Sequence, residues 1–362
     1  MPTVKDFYDK INQIAPFKAA YQWDNNGLLI GYMNAKVNKV LLTLDITDDI
    51  VDFAIKQKAN LIICHHPILM QGIKNITQPR LLKLIENKIA LIAAHTNLDV
   101  SKNGVNCTLA KRLGLLNIYP LSRLQDIKQY QVSVYTPESD LEKVLEAVHK
   151  VGAGNIGDYI HCATYFETDG QYKPLENSKP YHGEIERLEK VKEIKIEVLC
   201  EDHNLQSVIK AMIQAHPYQT PVYTVVELKQ FSPNFSLGCY GEIESEMKIK
   251  DFAKYVKERL NAPFVKLWTA DKSEDTIVKR IAVCGGSGNS IIHDAKQFAD
   301  VFVSSDFKYH ELLDSPMPVI DAGHYFTENP VLNTLKDLFK EIDCEVILIT
   351  DQEHDIKKLH LI

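Results

Sequence analysis

The chain lacks the features that mark secreted, membrane-spanning and nucleic-acid-binding proteins. Its seven cysteines are odd in number and form no Cys-x-x-Cys pair, which favours buried, reduced thiols over a disulfide framework. No apolar run approaches the roughly 20 residues that cross a bilayer, and residues 1–9 are mixed and charged, unlike a signal peptide. The net charge of -7 gives no general attraction to phosphate backbones. We therefore expect a soluble, cytoplasmic protein that binds neither membranes nor nucleic acid.

The order of apolar and polar segments predicts an α/β protein with one inserted domain. At 362 residues the chain exceeds one ordinary hydrophobic core. Buried strands alternate with helices over residues 1–127 and again over 231–362, which predicts the two halves of a two-lobed, mostly parallel α/β domain. Residues 128–230 read β-α-β-β-α-β, the order of a ferredoxin-like α+β domain that should fold separately. Residues 231–241 are predicted to be the linker back.

Two histidines follow a strand that is predicted to be buried on both faces. Leu61–Cys64 is a run of four apolar residues, and His65, His66 and Pro67 come directly after it. Pro67 biases the residue before it towards an extended backbone, and adjacent extended side chains point in opposite directions. If both histidines bind metal, two ions are therefore expected. Alone, however, a His-His-Pro sequence is more often structural.

Two further strand ends carry histidine or carboxylate groups. His95 and Asp99 follow the strand predicted at Ala90–Ala94, and His324 and Glu328 stand four residues apart at the start of a predicted helix, on one face of it. Each pair alone is a weak signal. Because the carboxyl ends of parallel strands meet at the same edge of a sheet, we predict that all these groups face one edge of one sheet.

The chemistry of this set favours two divalent cations. His65, His66, Asp99, His324 and Glu328 are more ligands than one catalytic zinc takes, whereas two ions that share Asp99 or Glu328 would use all five and keep open positions. Zinc is the preferred ion, and iron, manganese and nickel also suit such ligands. Two cations that share a water lower its pKa, so the set permits hydrolysis. His95 is the candidate proton carrier.

Other polar segments have two open interpretations each. The loop Gly285-Gly-Ser-Gly288 is either an anion-binding loop, in which Gly285, Gly286, Ser287 and Gly288 present backbone amides, or a tight strand-to-helix turn. Asp24, Asn25 and Asn26 are either turn formers or part of the site. Ser304–Asp306 and His310 could line the same crevice, while His293 and His354 receive no role.

The motifs together resemble those of the GTP cyclohydrolase I type 2 homologue family, also called the Ngg-interacting-factor-three-like family. The similarity runs through nearly the whole chain in order, and the residues that carry it are Trp23–Gly31, Cys64–Pro67, His95–Asp99, Cys284–Gly288 and Gly323–Glu328. Residues 151–159 and 215–218 are similar to the PII- or CutA-like domain of longer bacterial members. Asn26 and Gln219 depart from the family pattern.

The resemblance implies a specific site and assembly. It implies a dinuclear metal site at His65, His66, Asp99, His324 and Glu328, and a toroidal homohexamer whose ends are capped by the inserted domains. The function we favour is metal-dependent hydrolysis of a nucleotide-like or phosphorylated small molecule, with opening of the GTP ring as one candidate reaction. The alternative is a hexameric metal-binding, regulatory or partner-binding protein without turnover.

Overall fold

The computed structural model describes residues 1–69, 75–123, 128–157, 159–229 and 235–349. The chain divides into two compact units, of which the first comprises Met1–Ser122 with Phe235–Ile362 and the second Arg123–Asn234. Two features named above lie outside the described residues: the start of the predicted linker at Phe231, and His354.

Helices and strands alternate through most of the chain. The helices, in chain order, are α1 (Val4–Ile14), α2 (Asp48–Gln57), α3 (Pro79–Glu86), α4 (Thr96–Val100), α5 (Val105–Arg112), α6 (Leu141–Lys150), α7 (Leu205–Ala215), α8 (Ile249–Arg259), α9 (Ile292–Phe298), α10 (Tyr309–Leu313), α11 (His324–Glu328) and α12 (Val331–Leu338). The strands are β1 (Gly27–Ile30), β2 (Lys39–Thr43), β3 (Leu61–Cys64), β4 (Ala90–Ala93), β5 (Leu116–Arg123), β6 (Gln129–Thr136), β7 (Ala163–Tyr172), β8 (Glu189–Glu201), β9 (Tyr223–Leu228), β10 (Ser236–Lys248), β11 (Lys266–Trp268), β12 (Ile277–Ser287), β13 (Val301–Ser305), β14 (Val319–Asp321) and β15 (Glu345–Leu348). Among the described residues, no helix is both long and apolar enough to cross a bilayer.

The first sheet of the larger unit is mostly parallel. Its strand order is β1-β4-β3-β2-β15, and only the β1–β4 pair is antiparallel. The four residues of β3 are fully buried, and they alternate between two hydrophobic clusters, with Leu61 and Ile63 in one and Ile62 and Cys64 in the other. This strand is therefore buried on both faces, as its apolar run predicted.

A second sheet in the same unit corrects the prediction of a single sheet. Its order is β11-β14-β13-β12-β10-β5, in which β12, β13 and β14 are parallel while β10 and β11 pair antiparallel with their neighbours. Residues from both sheets, such as Ile63 and Val283, share one buried cluster with α1, α5, α8 and α12. The two sheets are thus joined through a common core, and their strands can contribute to one site.

Two strands of the second sheet, β5 and β10, were not predicted from the sequence. The predicted linker at 231–241 is wrong from Ser236 onward, because β10 begins there and continues to Lys248. Strand β5 was also missed. It contains Pro120, which removes a ladder donor and is typical of edge strands, and β5 is indeed the last strand in the sheet order.

The smaller unit has the predicted element order. Strands β6 to β9 and helices α6 and α7 follow one another as β-α-β-β-α-β, and the antiparallel sheet has the order β7-β8-β6-β9. Both helices contribute to its hydrophobic core, through Val144 and Val148 of α6 and Val208 and Met212 of α7, which pack with Val132 and Ile196 of the sheet. This core contains no residue of the larger unit.

Candidate metal centre

The carboxyl ends of strands from both sheets of the larger unit bring four histidines and two carboxylates together. His65 and His66 follow β3. After β4, His95 immediately precedes α4, and Asp99 lies within α4. His324 and Glu328 are the first and last residues of α11, which follows β14 of the second sheet. The predicted groups therefore meet, although at an edge built from two sheets instead of one.

Three of these groups form a first cluster of possible metal ligands. His65, Asp99 and Glu328 each place one ligand atom within 4.8 Å of the others. The His65 Nε2 atom is 3.4 Å from Asp99 Oδ1 and 3.7 Å from Glu328 Oε1. For comparison, two ligand atoms on a tetrahedral zinc with bonds near 2.1 Å are about 3.4 Å apart. The spacing of this cluster is therefore suitable for a small divalent cation.

A second cluster shares Glu328 with the first. The second cluster consists of His66, His324 and Glu328. The Glu328 Oε2 atom lies 3.0 Å from His66 Nε2 and 3.0 Å from His324 Nε2, and the two histidine nitrogens are 3.3 Å apart. The two oxygens of one carboxylate thus face two different groups of ligands. Asp99 takes part only in the first cluster. Of the two bridging candidates, the geometry favours Glu328.

Each histidine is oriented by a hydrogen bond at its Nδ1 atom. This leaves Nε2 to face the centre, which is the arrangement that carboxylate and carbonyl partners give to metal-binding histidines. The partners are Ala94 O for His65 at 2.7 Å, Asp45 Oδ1 for His66 at 2.7 Å, Asp24 Oδ1 for His95 at 2.8 Å, and Asp306 Oδ2 for His324.

Three buried polar atoms of the clusters have no hydrogen-bond partner in the described part of the chain, as expected of atoms that bind a cation. His65 Nε2, Asp99 Oδ1 and Glu328 Oε2 make no hydrogen bond to any described residue. Leaving such atoms without a partner in the interior costs about 1–3 kcal/mol each, more when they are charged. All three belong to the two ligand clusters, and they are of donor types that bind zinc, iron or manganese. The residues present therefore fit divalent metal ions.

The electrostatics of the cluster favour positive charge. Burial lowers the pKa of His65, but the nearby carboxylates of Asp99 and Glu328 outweigh it and hold this pKa well above its ordinary value. Burial also opposes protonation of His324, yet Glu328 and Asp306 raise its pKa to about 9. Although burial alone would raise the pKa of Glu328, the three surrounding histidines hold it well below its usual range. A divalent cation can supply the positive charge that these carboxylates attract.

His95 lies beside both clusters and is held by Asp24. One of its ring nitrogens is within 4.8 Å of nitrogens of His65 and His66. Asp24 also accepts hydrogen bonds from the Thr96 amide at 3.0 Å and hydroxyl at 2.6 Å. Burial would raise the pKa of Asp24, but these bonds and the bond from His95 hold it well below its usual range. Asp24 therefore belongs to the site, in addition to its local bond to the Asn25 amide.

The glycine loop packs beneath Glu328. The Gly285 amide donates to Asn106 Oδ1 at 2.8 Å, and the Gly286 amide donates to Thr327 Oγ1 at 3.0 Å. A Cβ atom on Gly286 would lie 2.3 Å from Glu328 Oε1. Two of the four amides predicted to bind an anion are therefore engaged within the protein. An anion site at Ser287 and Gly288 stays a prediction.

Two residues that hold the candidate ligands in place, Asp45 and Asn106, were not predicted from the sequence. Asp45, which orients His66, follows β2 and could have been found by the same search of strand ends that found the histidines. Asn106 had no such signal. Its amide nitrogen donates to Asp99 O at 2.7 Å while its oxygen accepts from the Gly285 amide, so it connects the segment that carries Asp99 to β12 of the second sheet.

Comparisons with known proteins agree over nearly the whole chain. Curated relatives with the name "GTP cyclohydrolase 1 type 2 homolog" are 36% identical in Staphylococcus epidermidis, over 93% of each chain, and 39% identical in Bacillus subtilis, over 86% of each chain. A Bacillus cereus protein related to NIF3 has a solved structure that matches with a TM-score of 0.84 at 33% identity, covering 96% of this chain and 97% of that one. A Staphylococcus aureus structure matches at 0.75 and 33% identity, covering 100% and 99%.

The family model that matches spans almost all of the sequence. It is described as Duf34/NIF3 (NGG1p interacting factor 3), and it matches residues 2–354. The motifs that carried the resemblance all lie within this range. Together with the relatives above, this match shows that the chain belongs to the Duf34/NIF3 family.

Proposed function

We propose that this protein is a metal-dependent hydrolase whose two divalent cations, zinc in the first instance, are held by His65, His66, Asp99, His324 and Glu328. The substrate we propose is a nucleotide-like or phosphorylated small molecule. Relatives named "GTP cyclohydrolase 1 type 2 homolog" make GTP the first compound to test. When bound, the cations would supply Lewis acidity and an activated water to a hydrolytic reaction.

The observation that carries the proposal is the division of one carboxylate between two ligand clusters. Glu328 faces His65 with Oε1 and faces His66 and His324 with Oε2, and Asp99 belongs to the cluster that contains His65. A purely structural ion-pair network has no need to leave buried atoms of three such residues without hydrogen bonds. Two cations held by His65, His66, Asp99, His324 and Glu328 would satisfy all of these atoms.

His95 has the position expected of a proton carrier. Its Nδ1 atom is held by Asp24, and its side chain is 15% exposed, so its other nitrogen can exchange protons with solvent or a substrate. A histidine oriented by a buried carboxylate is a common general acid or base. We therefore assign proton transfer to His95 and cation binding to the other five residues.

An exposed tryptophan beside the centre favours a substrate with a planar ring. Trp23 is 59% exposed, although an indole usually buries most of its surface, and its ring centroid is 6.0 Å from that of His95. Stacking of a base on an aromatic side chain is worth about 1–3 kcal/mol. For a nucleotide-like substrate, Trp23→Ala should therefore raise KM about five-fold or more while kcat changes less.

The test of the proposal is metal content and hydrolysis measured on the same samples. Full-length protein and its His65→Ala variant are analysed by mass spectrometry for metals and assayed with GTP and a panel of nucleotides and phosphoesters. His293→Ala is the matched control, because His293 is an exposed histidine outside the site. We expect His65→Ala to lose both its metal and its turnover, and His293→Ala to keep both. Turnover that persists in metal-free protein would contradict the proposal.

The second candidate function is a metal-binding regulatory or partner-binding protein without turnover. The feature in its favour is the smaller unit, which has its own core and can act as a separate binding module. We propose that this unit is the PII- or CutA-like domain that the family resemblance implies. Bound metal without hydrolysis of any compound in the panel would favour this candidate.

We also propose that six copies form a ring, as the family resemblance implies. Native mass spectrometry of the purified protein should then give a particle of six times the chain mass. A stable monomer or dimer at micromolar concentration would contradict the ring, while leaving the metal centre unaffected, because all its ligands come from one chain.

A further inference from the structure

The smaller unit contains a cavity whose walls differ in chemistry from the metal centre. Its volume is 590 Å³, within the roughly 300–1,000 Å³ of small-molecule sites. Tyr135, Tyr172, Tyr181 and Tyr218 line it, together with the acidic side chain of Glu193. All of the lining residues belong to residues 123–234, so the cavity is a feature of this unit alone.

Three tyrosine rings form tilted walls around the cavity. The Tyr218 ring centroid is 6.5 Å from that of Tyr172 and 6.0 Å from that of Tyr181, with interplanar angles of 59° and 52°. The rings therefore do not stack face to face on one another. Tilted rings that line a cavity can present the negative faces of their quadrupoles to a ligand, and such faces bind alkylammonium groups.

The central ring is fixed in place by a neutral histidine. The amide of Tyr218 donates to His216 Nδ1 at 3.0 Å, and His216 Nε2 donates to Tyr135 O at 2.8 Å. Burial lowers the pKa of His216, which agrees with an imidazole that carries one proton, on Nε2. The His216 and Tyr218 rings also contact edge to face at 5.0 Å. The aromatic wall is thus positioned before any ligand arrives, which reduces the entropy lost on binding.

One carboxylate in this cavity has no cationic partner. Among the described residues, Asp169 pairs with Lys192 at 2.8 Å and Lys195 with Glu197 at 2.7 Å, whereas no lysine or arginine pairs with Glu193. Glu193 interacts instead with the Tyr218 hydroxyl, and this contact adds to burial in raising the pKa of Tyr218. The negative charge of Glu193 is therefore hydrogen-bonded but not neutralised.

A glycine makes room for this carboxylate. In the antiparallel β7–β8 pair, Gly170 lies opposite Val191 and so diagonally across from Glu193, and a Cβ atom on Gly170 would be 2.5 Å from Glu193 Oε2. Any larger residue would push the carboxylate out of its position. The remaining charged residue of the lining, Lys179, is exposed, and its backbone amide donates to Gln219 Oε1 at 3.0 Å.

We propose that this cavity binds a small organic cation, of the substituted-ammonium class, between the tyrosine rings and the Glu193 carboxylate. The three tyrosines would enclose the alkyl groups of the cation, and Glu193 would neutralise its charge. The same carboxylate disfavours phosphate esters, so this ligand differs in class from the substrate proposed for the metal centre. The inference does not depend on hydrolysis at that centre.

The test is isothermal titration calorimetry of the full-length protein with choline chloride and tetramethylammonium chloride at constant ionic strength. The matched neutral probe is 3,3-dimethyl-1-butanol, which has the shape of choline without its charge. We expect saturable binding of both cations and at least ten-fold weaker binding of the alcohol. Equal binding of choline and the alcohol, or no binding of either cation, would overturn the proposal.

Variants test the contributions of the carboxylate and of the aromatic wall separately. Glu193→Gln should weaken choline binding at least ten-fold, whereas the control Glu197→Gln, on the same strand, should leave it unchanged. Tyr181 is 43% exposed, so Tyr181→Ala removes one wall without disturbing the core, and it should weaken binding several-fold. Choline affinity that is unchanged in both Glu193→Gln and Tyr181→Ala would show that the cavity is not the site.

Discussion

At the scale of single residues, Glu328 has the largest expected effect because it belongs to both ligand clusters. Its two oxygens face different histidines, whereas His324 belongs to one cluster only. A ligand that is shared should control two ions, and a ligand that is not shared should control one. This difference separates a bridged pair of cations from two independent sites.

The corresponding prediction concerns the number of ions lost. Glu328→Gln should reduce the metal content from two ions per chain to fewer than one, while His324→Ala should leave about one. Mass spectrometry for metals on protein dialysed against metal-free buffer gives both values. If the two variants lose the same number of ions, Glu328 does not act as a bridge.

Asp24 is predicted to stabilise the fold as well as the site. It is a buried carboxylate that accepts hydrogen bonds from His95 and from both donors of Thr96, and its pKa is held low by them. Asp24→Asn replaces an acceptor oxygen with a donor NH₂ group, so the free energy of unfolding should fall by about 1–3 kcal/mol. Urea denaturation at pH 7 measures the change. Asp9→Asn, in an exposed ion pair, is the control and should change stability by less than about 0.5 kcal/mol.

At the scale of elements, the glycine segment at the end of β12 limits where Glu328 can lie. Gly286 has a positive φ of 63°, and a Cβ atom there would meet Glu328 Oε1 at 2.3 Å and His324 Cε1 at 3.2 Å. Gly157 has a similar φ of 58°, but a Cβ atom there would meet nothing within 4 Å. The two glycines therefore share a positive φ, and only Gly286 contacts the site.

This pair gives a matched experiment. Gly286→Ala should displace the carboxylate and weaken metal binding by about 10–100-fold, the range expected when a supporting residue of a metal site is lost. Gly157→Ala carries the same backbone strain and should leave metal affinity unchanged. Competition with a chromogenic chelator measures both affinities. Normal affinity in Gly286→Ala would show that the loop does not position Glu328.

Some elements were predictable from the sequence and others were not. β3 was found because four consecutive apolar residues need burial on both faces, and the structure buries them on both. β10 was missed although Cys239 and Ile243 alternate on its buried face, since Gly238 and Gly241 weaken the strand pattern. Local patterns also do not encode which strands pair, so one sheet was predicted where the chain forms two.

The candidate site was likewise predictable only in part. Strand ends placed five candidate ligands and His95 close together, because the position of a loop at a sheet edge follows from topology. The division of Glu328 between two clusters depends on packing against Gly286, which is a contact between distant segments. Asn106 was not predictable for the same reason, because its role arises from contacts to Asp99 and Gly285 in three dimensions.

At the scale of the whole molecule, the division into two units has a direct consequence. The smaller unit, Arg123–Asn234, has a hydrophobic core that includes no residue of the larger one. Residues 123–234 expressed alone should therefore unfold cooperatively on heating, as followed by circular dichroism. A gradual loss of signal would show that this core needs the rest of the chain.

The larger unit joins two sheets through one core, and the metal centre lies where strands of both sheets end. Metal ions held by residues from both sheets would stabilise the native state, since they bind it in preference to the unfolded chain. We therefore expect the Glu328 carboxylate to be shared by two cations where strands of both sheets end.

The most direct test is a crystal structure of the metal-loaded protein with anomalous data at the absorption edge of the bound metal. We predict two anomalous peaks about 3.5–4 Å apart, the separation typical of two-metal sites. One peak should lie by His65 and Asp99, the other by His66 and His324, with the Glu328 carboxylate between them. A single peak, or two peaks with Glu328 turned away from one of them, would contradict the account.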